Sequence, residues 1–172
     1  MIKLPPVAEY KPYFQGYIDL VPPGEFMDLL SINTGDTYSF FKDISLEKHN
    51  YRYAEGKWTI KEVLMHCIDT ERVFAYRALV CARGDSKTIM QGMDEDLYAA
   101  NADVTYRAMG DLVDEFLVVR NNSELLFQYM TEAQSSFVGK NGDDPITARS
   151  LGYIMIGHII HHINVTKERY LK

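Results

Sequence analysis

Three of the five histidines in this 172-residue chain fall within five consecutive positions: His158, His161 and His162. Positions i and i+4 of an α-helix lie one turn apart on the same face. His158 and His162 have that spacing, so their imidazoles can converge on one ion without bending the backbone, as histidine pairs do in metal sites. At about 100° per residue, His162 falls about 40° from His158. Leu151 and Met155 share that sector and Ile159 lies close to it, so the pair faces inward. His161 falls at about 300°, on the edge of the apolar arc, and reads as a neighbour of the pair rather than a ligand.

Two histidines do not complete a site. His49 lies in a polar stretch, Glu47-Lys48-His49-Asn50, and reads as solvated surface. His66 stands at the edge of the apolar side of its own helix, in line with Thr70 and Arg77. Bundle cores build metal sites from facing helices, which makes His66 the candidate third ligand. Spacing alone leaves another reading open, in which the three imidazoles bond to backbone carbonyls and carboxylates. Gly152 and Gly157 weigh towards a site. Glycine lowers helix propensity, which makes sense where helices approach closely or something is bound nearby.

No general base can be identified, so no catalytic residue is assigned. Glu71 lies about 140° from His66 and falls within the apolar arc. A buried carboxylate needs a partner, and Arg77, Arg107 and Arg149 are candidates; the first reading is an ion pair stitching helices together. Asp69, three residues after His66, could orient an imidazole or stand as an exposed helix charge. The acidic run Met93-Asp94-Glu95-Asp96 lacks the ligand spacing and glycine of an EF-hand loop and reads as a solvated turn. Tyr10, Tyr13, Phe14 and Tyr17 have helix-like spacing interrupted by Pro12 and Gly16. They either pack an N-terminal arm onto the bundle or line a pocket.

Four long segments of helical periodicity must position these groups. The first follows Pro22-Pro23-Gly24, with Phe26, Leu29, Leu30, Ile32, Tyr38 and Phe41 as a patchy apolar stripe. The second opens on a capping box, Thr59-Ile60-Lys61-Glu62, and stops at Arg83-Gly84. The third covers Tyr106 to Met130, and the fourth runs from Pro145–Thr147 to about Leu171. Strand signals are weak, and Asn141-Gly142 falls between two helices. The expected fold is therefore all-α, a four-helix bundle in one domain over 1–172 with an N-terminal arm of about 22 residues. The segment Asp85 to Val104 is long for a bundle loop, and suits a surface crossover between non-adjacent helices, a short helix of its own, or a functional loop.

Composition limits the function. A chain of this length buries about 70% of its unfolded surface and needs no disulfide or metal to hold a core. With 47% hydrophobic and 24% charged residues it matches a soluble globular protein, not a disordered tail or a disulfide-stapled scaffold. The net charge of −6, without a basic run, repels phosphate backbones and argues against a nucleic-acid partner. No stretch approaches the roughly 18 apolar residues of a membrane span, and the N-terminus has no export signal. Cys67 and Cys81, on one helix and roughly 21 Å apart, cannot bond to each other and suit reduced thiols in a cytoplasmic protein.

The run Lys57-Trp58-Thr59-Ile60-Lys61-Glu62-Val63-Leu64-Met65-His66, continued by Cys67-Ile68-Asp69-Thr70-Glu71-Arg72, resembles the second helix of the DinB/YfiT-like superfamily. Gly157-His158-Ile159-Ile160-His161-His162 resembles its C-terminal metal helix. The likeness extends over roughly Tyr10 to Leu171. It implies a four-helix bundle with a crossover, often dimeric, and a divalent ion such as zinc or nickel held by His66, His158 and His162.

Within that superfamily the resemblance implies S-transferases that use small thiols such as bacillithiol or mycothiol, and a mycothiol-dependent isomerase. Asp69-Thr70-Glu71-Arg72 and Ala82-Arg83-Gly84-Asp85 are most similar to a branch with no assigned reaction. Three neutral histidine ligands would leave a tetrahedral ion one open position, the mark of a reactive site. A small thiol attacking an electrophilic substrate is the chemistry the family implies. Hydrolysis by an activated water is the alternative. A third reading is a non-catalytic, metal-binding stress or interaction protein.

Overall fold

The computed structural model describes residues 1–172. Its helices in chain order are α1 (Gln15–Ile18), α2 (Phe26–Lys42), α3 (Ile60–Ala82), α4 (Glu95–Asn101), α5 (Met109–Gln128), α6 (Glu132–Ser136) and α7 (Ala148–Arg169). Three short strands, β1 (Ile89–Met90), β2 (Val138–Asn141) and β3 (Asp144–Thr147), form one small sheet. The long helices α2, α3, α5 and α7 are the four expected from periodicity, and they make a four-helix bundle. No helix is long and apolar enough to cross a membrane.

Local chemistry starts and stops these helices. Glu62 accepts from the Thr59 backbone N–H at 2.6 Å while the Glu62 N–H donates to the Thr59 hydroxyl at 3.2 Å, closing the capping box of α3. Gly84, at φ +71°, supplies the left-handed turn that ends it. Thr147 and Ser150 cap α7 reciprocally. Among the expected apolar positions of α2, Ile32 departs: it is solvent-exposed, whereas Phe26, Leu29, Leu30 and Phe41 are buried.

Helix α3 packs against α5 and α7, and α2 packs against the same two. Consecutive helices α2 and α3 thus lie diagonally, as do α5 and α7. The long segment Asp85–Val104 does not cross the bundle, contrary to one sequence expectation. It joins α3 to its direct neighbour α5 and carries β1 and α4, the latter capped by the Asp94 carboxylate accepting from the Leu97 N–H. The crossings are made by residues 43–59 and 129–147. The latter include a β-hairpin, so Asn141-Gly142 is a strand turn after all: Asn141 pairs with Asp144, and Gly142 sits at φ +63°. Pro145 is tolerated because β3 is an edge strand, while β2 lies between β1 and β3.

The apolar core is split into two clusters. One gathers Phe26, Leu30, Phe74, Ala78, Phe127 and Leu151, and the other Phe41, Leu64, Ile68, Leu112, Phe116 and Ile159. A polar layer crosses the bundle near the level where they meet. Arg120 of α5, fully buried, donates to both oxygens of Glu71 on α3 at 2.6 and 2.7 Å and to the Asn33 side-chain oxygen on α2 at 2.8 Å. Glu71 therefore is the helix-stitching carboxylate expected, but its partner is none of Arg77, Arg107 and Arg149. Those bind the Gln91 carbonyl, Glu115 and Glu9 respectively.

Two glycines of α7 admit close approach, as their low helix propensity suggested. A Cβ on Gly152 would lie 2.6 Å from the Phe26 ring, and one on Gly157 only 1.9 Å from the Tyr17 backbone oxygen. Segment 10–18 is thereby seated directly on α7. Its N-terminal side is tied down by Glu9, which pairs with Arg149 and accepts from the Thr147 hydroxyl at 2.9 Å.

Two outcomes follow from this packing. Glu71→Ala or Arg120→Ala leaves a buried charge uncompensated and should lower the urea-unfolding free energy by about 3–5 kcal/mol, whereas the joint Glu71→Leu/Arg120→Met change should cost far less. Equal losses in the single and joint variants would refute this account. Gly157→Ala, worth about 1 kcal/mol in helix propensity alone, should instead destabilise by about 1–3 kcal/mol through overpacking. Limited proteolysis should then cut before Tyr17 faster than in the parent, and an unchanged cleavage rate would contradict the tight contact.

Candidate metal centre

Helices α3 and α7 bring together three histidines from positions 92 residues apart. The Nε2 atoms of His66 and His158 are 3.0 Å apart, and those of His162 and His158 are 3.1 Å apart. All three nitrogens lie within 4.8 Å of one another. His66 and His158 are buried and His162 half-buried. The inward i,i+4 pair and the facing third histidine thus sit as their spacing suggested. None of the three bonds a carbonyl or carboxylate, the alternative that spacing had left open.

Burial drives the His66 pKa down to about 4, with a further push from His161. Burial likewise drives His162 down to about 3, helped by His66 and His161, and holds His158 well below the ordinary histidine value. The rings are therefore neutral at pH 7, each with one N–H and one lone pair. His158 Nε2 faces both neighbours yet has only one proton or one lone pair to offer. It cannot form two good hydrogen bonds at once, so three converging neutral nitrogens are poorly satisfied by each other. They suit a cation: on a tetrahedral ion with nitrogen ligands at about 2.0–2.1 Å, the nitrogens sit about 3.3 Å apart.

The surrounding residues sort differently from their sequence expectations. His161 stays outside the triangle, half-buried, its ring centroid 5.1 Å from His162 and 5.4 Å from Tyr17. His49 is not simply solvated: it is half-buried and its Nε2 meets the Ile44 carbonyl at 2.9 Å. Asp69 orients no imidazole; it pairs with Arg72 at 3.2 Å. His66 Nδ1 is accordingly buried without a partner. Both cysteines are buried free thiols, and burial pushes Cys67 far above the range in which a thiolate forms.

The centre opens into a cavity of about 760 Å³. Trp58, immediately before the α3 cap, forms one wall with its ring centroid 4.8 Å from His66. Phe74, Phe14 and Tyr17 form others, and Tyr17 stands edge-on to His158 at 5.4 Å. The N-terminal aromatics thus do both things considered for them: Tyr10 is buried in the core, while Tyr13, Phe14 and Tyr17 line the pocket. Burial and the neighbouring Tyr13 hydroxyl raise the Tyr17 pKa well above the ordinary phenol value, so it remains a neutral hydroxyl. Thr70, one turn beyond His66, also reaches this cavity, as its place in line with His66 allowed.

Comparison with known proteins agrees with this architecture. A sequence search of curated proteins gives no match. Among solved structures, YfiT from Bacillus subtilis, described as a probable metal-dependent hydrolase with an unusual four-helix bundle topology, is similar at a TM-score of 0.73. That alignment has 16% identity and covers 95% of this chain and 89% of YfiT. The mycothiol-dependent maleylpyruvate isomerase is similar at a TM-score of 0.66 and 12% identity, over 86% of this chain and 61% of the isomerase. The family model of the DinB superfamily matches residues 29–165, from α2 through most of α7 and both helices that carry the histidines. This chain belongs to the DinB superfamily.

Proposed function

We propose that the protein is a divalent-metal-dependent enzyme in which His66, His158 and His162 hold zinc or nickel, and that it transfers a small thiol to an electrophilic substrate. The observation that carries the metal is the convergence of three neutral Nε2 atoms that cannot satisfy one another. Three neutral ligands would leave a bound ion its full charge, with which it would lower the pKa of a thiol or water.

The chain supplies the remaining parts. Trp58, Phe74 and Tyr17 exclude water around the histidines and keep the local dielectric low. Tyr17 offers a neutral hydroxyl at the cavity wall, able to donate to a developing negative charge. Thiol transfer is favoured over hydrolysis because no carboxylate meets the histidines. Glu71 is locked by Arg120 and Asp69 by Arg72, and the carboxylates that line the cavity, Glu95, Asp143 and Asp144, make no bond to the histidines. Hydrolysis remains the second reading, supported by the description of YfiT, and the description of the isomerase supports a small-thiol partner. A cytoplasmic homodimer completes the proposal.

Protein purified without a histidine tag should contain about one equivalent of a divalent transition metal per chain. His158→Ala should lose it, while His161→Ala, outside the triangle, should retain it. Less than about 0.2 equivalents in the parent, with His158→Ala unchanged in thermal stability, would remove the metal from this reading. The reaction is tested by conjugation of bacillithiol, cysteine or glutathione to a panel of electrophiles. Turnover with one thiol should disappear on chelation and return with metal. Chelator-sensitive ester or amide cleavage, without thiol transfer, would favour hydrolysis instead.

A further inference from the structure

Threonines inside the long helices of this fold have a common habit. Thr34, Thr37 and Thr166 each donate to the carbonyl four residues back, of Leu30, Asn33 and His162, at 2.9, 2.6 and 2.7 Å. Thr70 does not. It is only 5% exposed and its hydroxyl has no partner, although the His66 carbonyl is available at the same offset. Its side chain lines the cavity instead, one turn beyond His66. An unmade bond at a buried hydroxyl costs stability, and an incoming ligand is what would restore it.

Three independent features of the same cavity describe that ligand. Asn141 contributes a second buried side-chain oxygen with no partner, so two oxygens there lack a hydrogen-bond donor. Glu95, Asp143 and Asp144 line it against one cation, Lys11, which is already paired with Asp144 at 3.2 Å. Trp58, Tyr17 and Phe74 supply aromatic surface, which attracts cations over its faces. Unfilled acceptors ask for N–H groups, and unpaired carboxylates and aromatic rings ask for positive charge. A primary ammonium group meets all three demands, whereas a carboxylate-rich ligand meets none.

We propose that this cavity contains a subsite for a primary ammonium group on the substrate, with Thr70 and Asn141 accepting its N–H bonds and Glu95 and Asp143 balancing its charge. The inference rests on the reading of the three histidines as the reacting end, and adds to it the class of molecule: an amine-bearing substrate.

Trp58, the single tryptophan, lies on the cavity wall, so its fluorescence reports occupancy. The probes are 2-phenylethylammonium and 2-phenylethanol, similar in size and different in charge, titrated into the protein as purified and after chelation. The amine should bind at least about tenfold more tightly than the alcohol, with the preference reduced by salt. Glu95→Gln/Asp143→Asn should abolish that preference. Thr70→Val should weaken the amine about tenfold without lowering the melting temperature, because a buried hydroxyl that lacks a protein partner is replaced by a methyl. Equal binding of the two probes, or no saturable signal from either, overturns the inference. So does a Thr70→Val protein that melts lower but binds the amine as before, since its hydroxyl would then be structural. The two readings fail separately: amine preference without metal loading sinks the metal centre alone, and metal loading without amine preference sinks the ammonium subsite alone.

Discussion

The buried contact between Arg120, Glu71 and Asn33 sets the rotation of α3, and the candidate centre depends on that rotation. Arg120 reaches both Glu71 oxygens and Asn33 at once, so one guanidinium ties α5 to α3 and α2. Its planar fork is suited to this, and lysine could not reproduce it. The Phe116 ring lies 5.1 Å from the guanidinium and covers it. With Glu71 turned towards α5 and α2, His66 is about 140° away around the helix and must face elsewhere. It faces α7, where His158 and His162 wait. Two polar clusters back to back on one helix would be expensive if either were incomplete. The first is complete, with every charge paired. The second has unmatched atoms, and that asymmetry is what makes it the candidate centre.

Burial keeps the histidine rings neutral, and therefore available as lone-pair donors, by making the imidazolium form costly. The rings of Trp58, Phe74 and Tyr17 add an apolar wall beside them. The wall is assembled from parts remote in the chain: the residue before the α3 cap, the middle of α3, and the segment seated on α7. Residues 141–144 of the hairpin close another side, and the hairpin is held near α3 because Gly139 leaves room for the Cys81 sulfur.

What could be read from the sequence followed helical geometry. The His158–His162 pair, its inward direction and the capping box at Thr59 each depend on residues within one or two turns, and each stands as expected. What could not be read depended on which helices become neighbours. Arg120 was hidden as the partner of Glu71 because three other arginines were equally plausible until α3 and α5 were known to pack together. The hairpin escaped because its strands have four residues each, with Gly139 in one and Pro145 in the other, and β1 has only two. The polar neighbours of His49 conceal a fold-back onto Ile44. Thr70 stood in line with His66, but no spacing rule says whether a threonine will bond its own helix or turn outward. An unfilled hydroxyl becomes visible only when every nearby carbonyl has been placed.

The contact between Tyr17 and Gly157 also has a consequence for how the protein is made. Residue 17 leaves the ribosome long before residue 157, and His66 long before His158 and His162. Segment 10–18 therefore has no seat, and the histidine triangle no second side, until synthesis has almost reached the end of the last helix. A chain that ends before α7 has only one imidazole of the three to offer. The three histidines are thus brought together only when the last helix has been made, and an incomplete chain presents no such cluster.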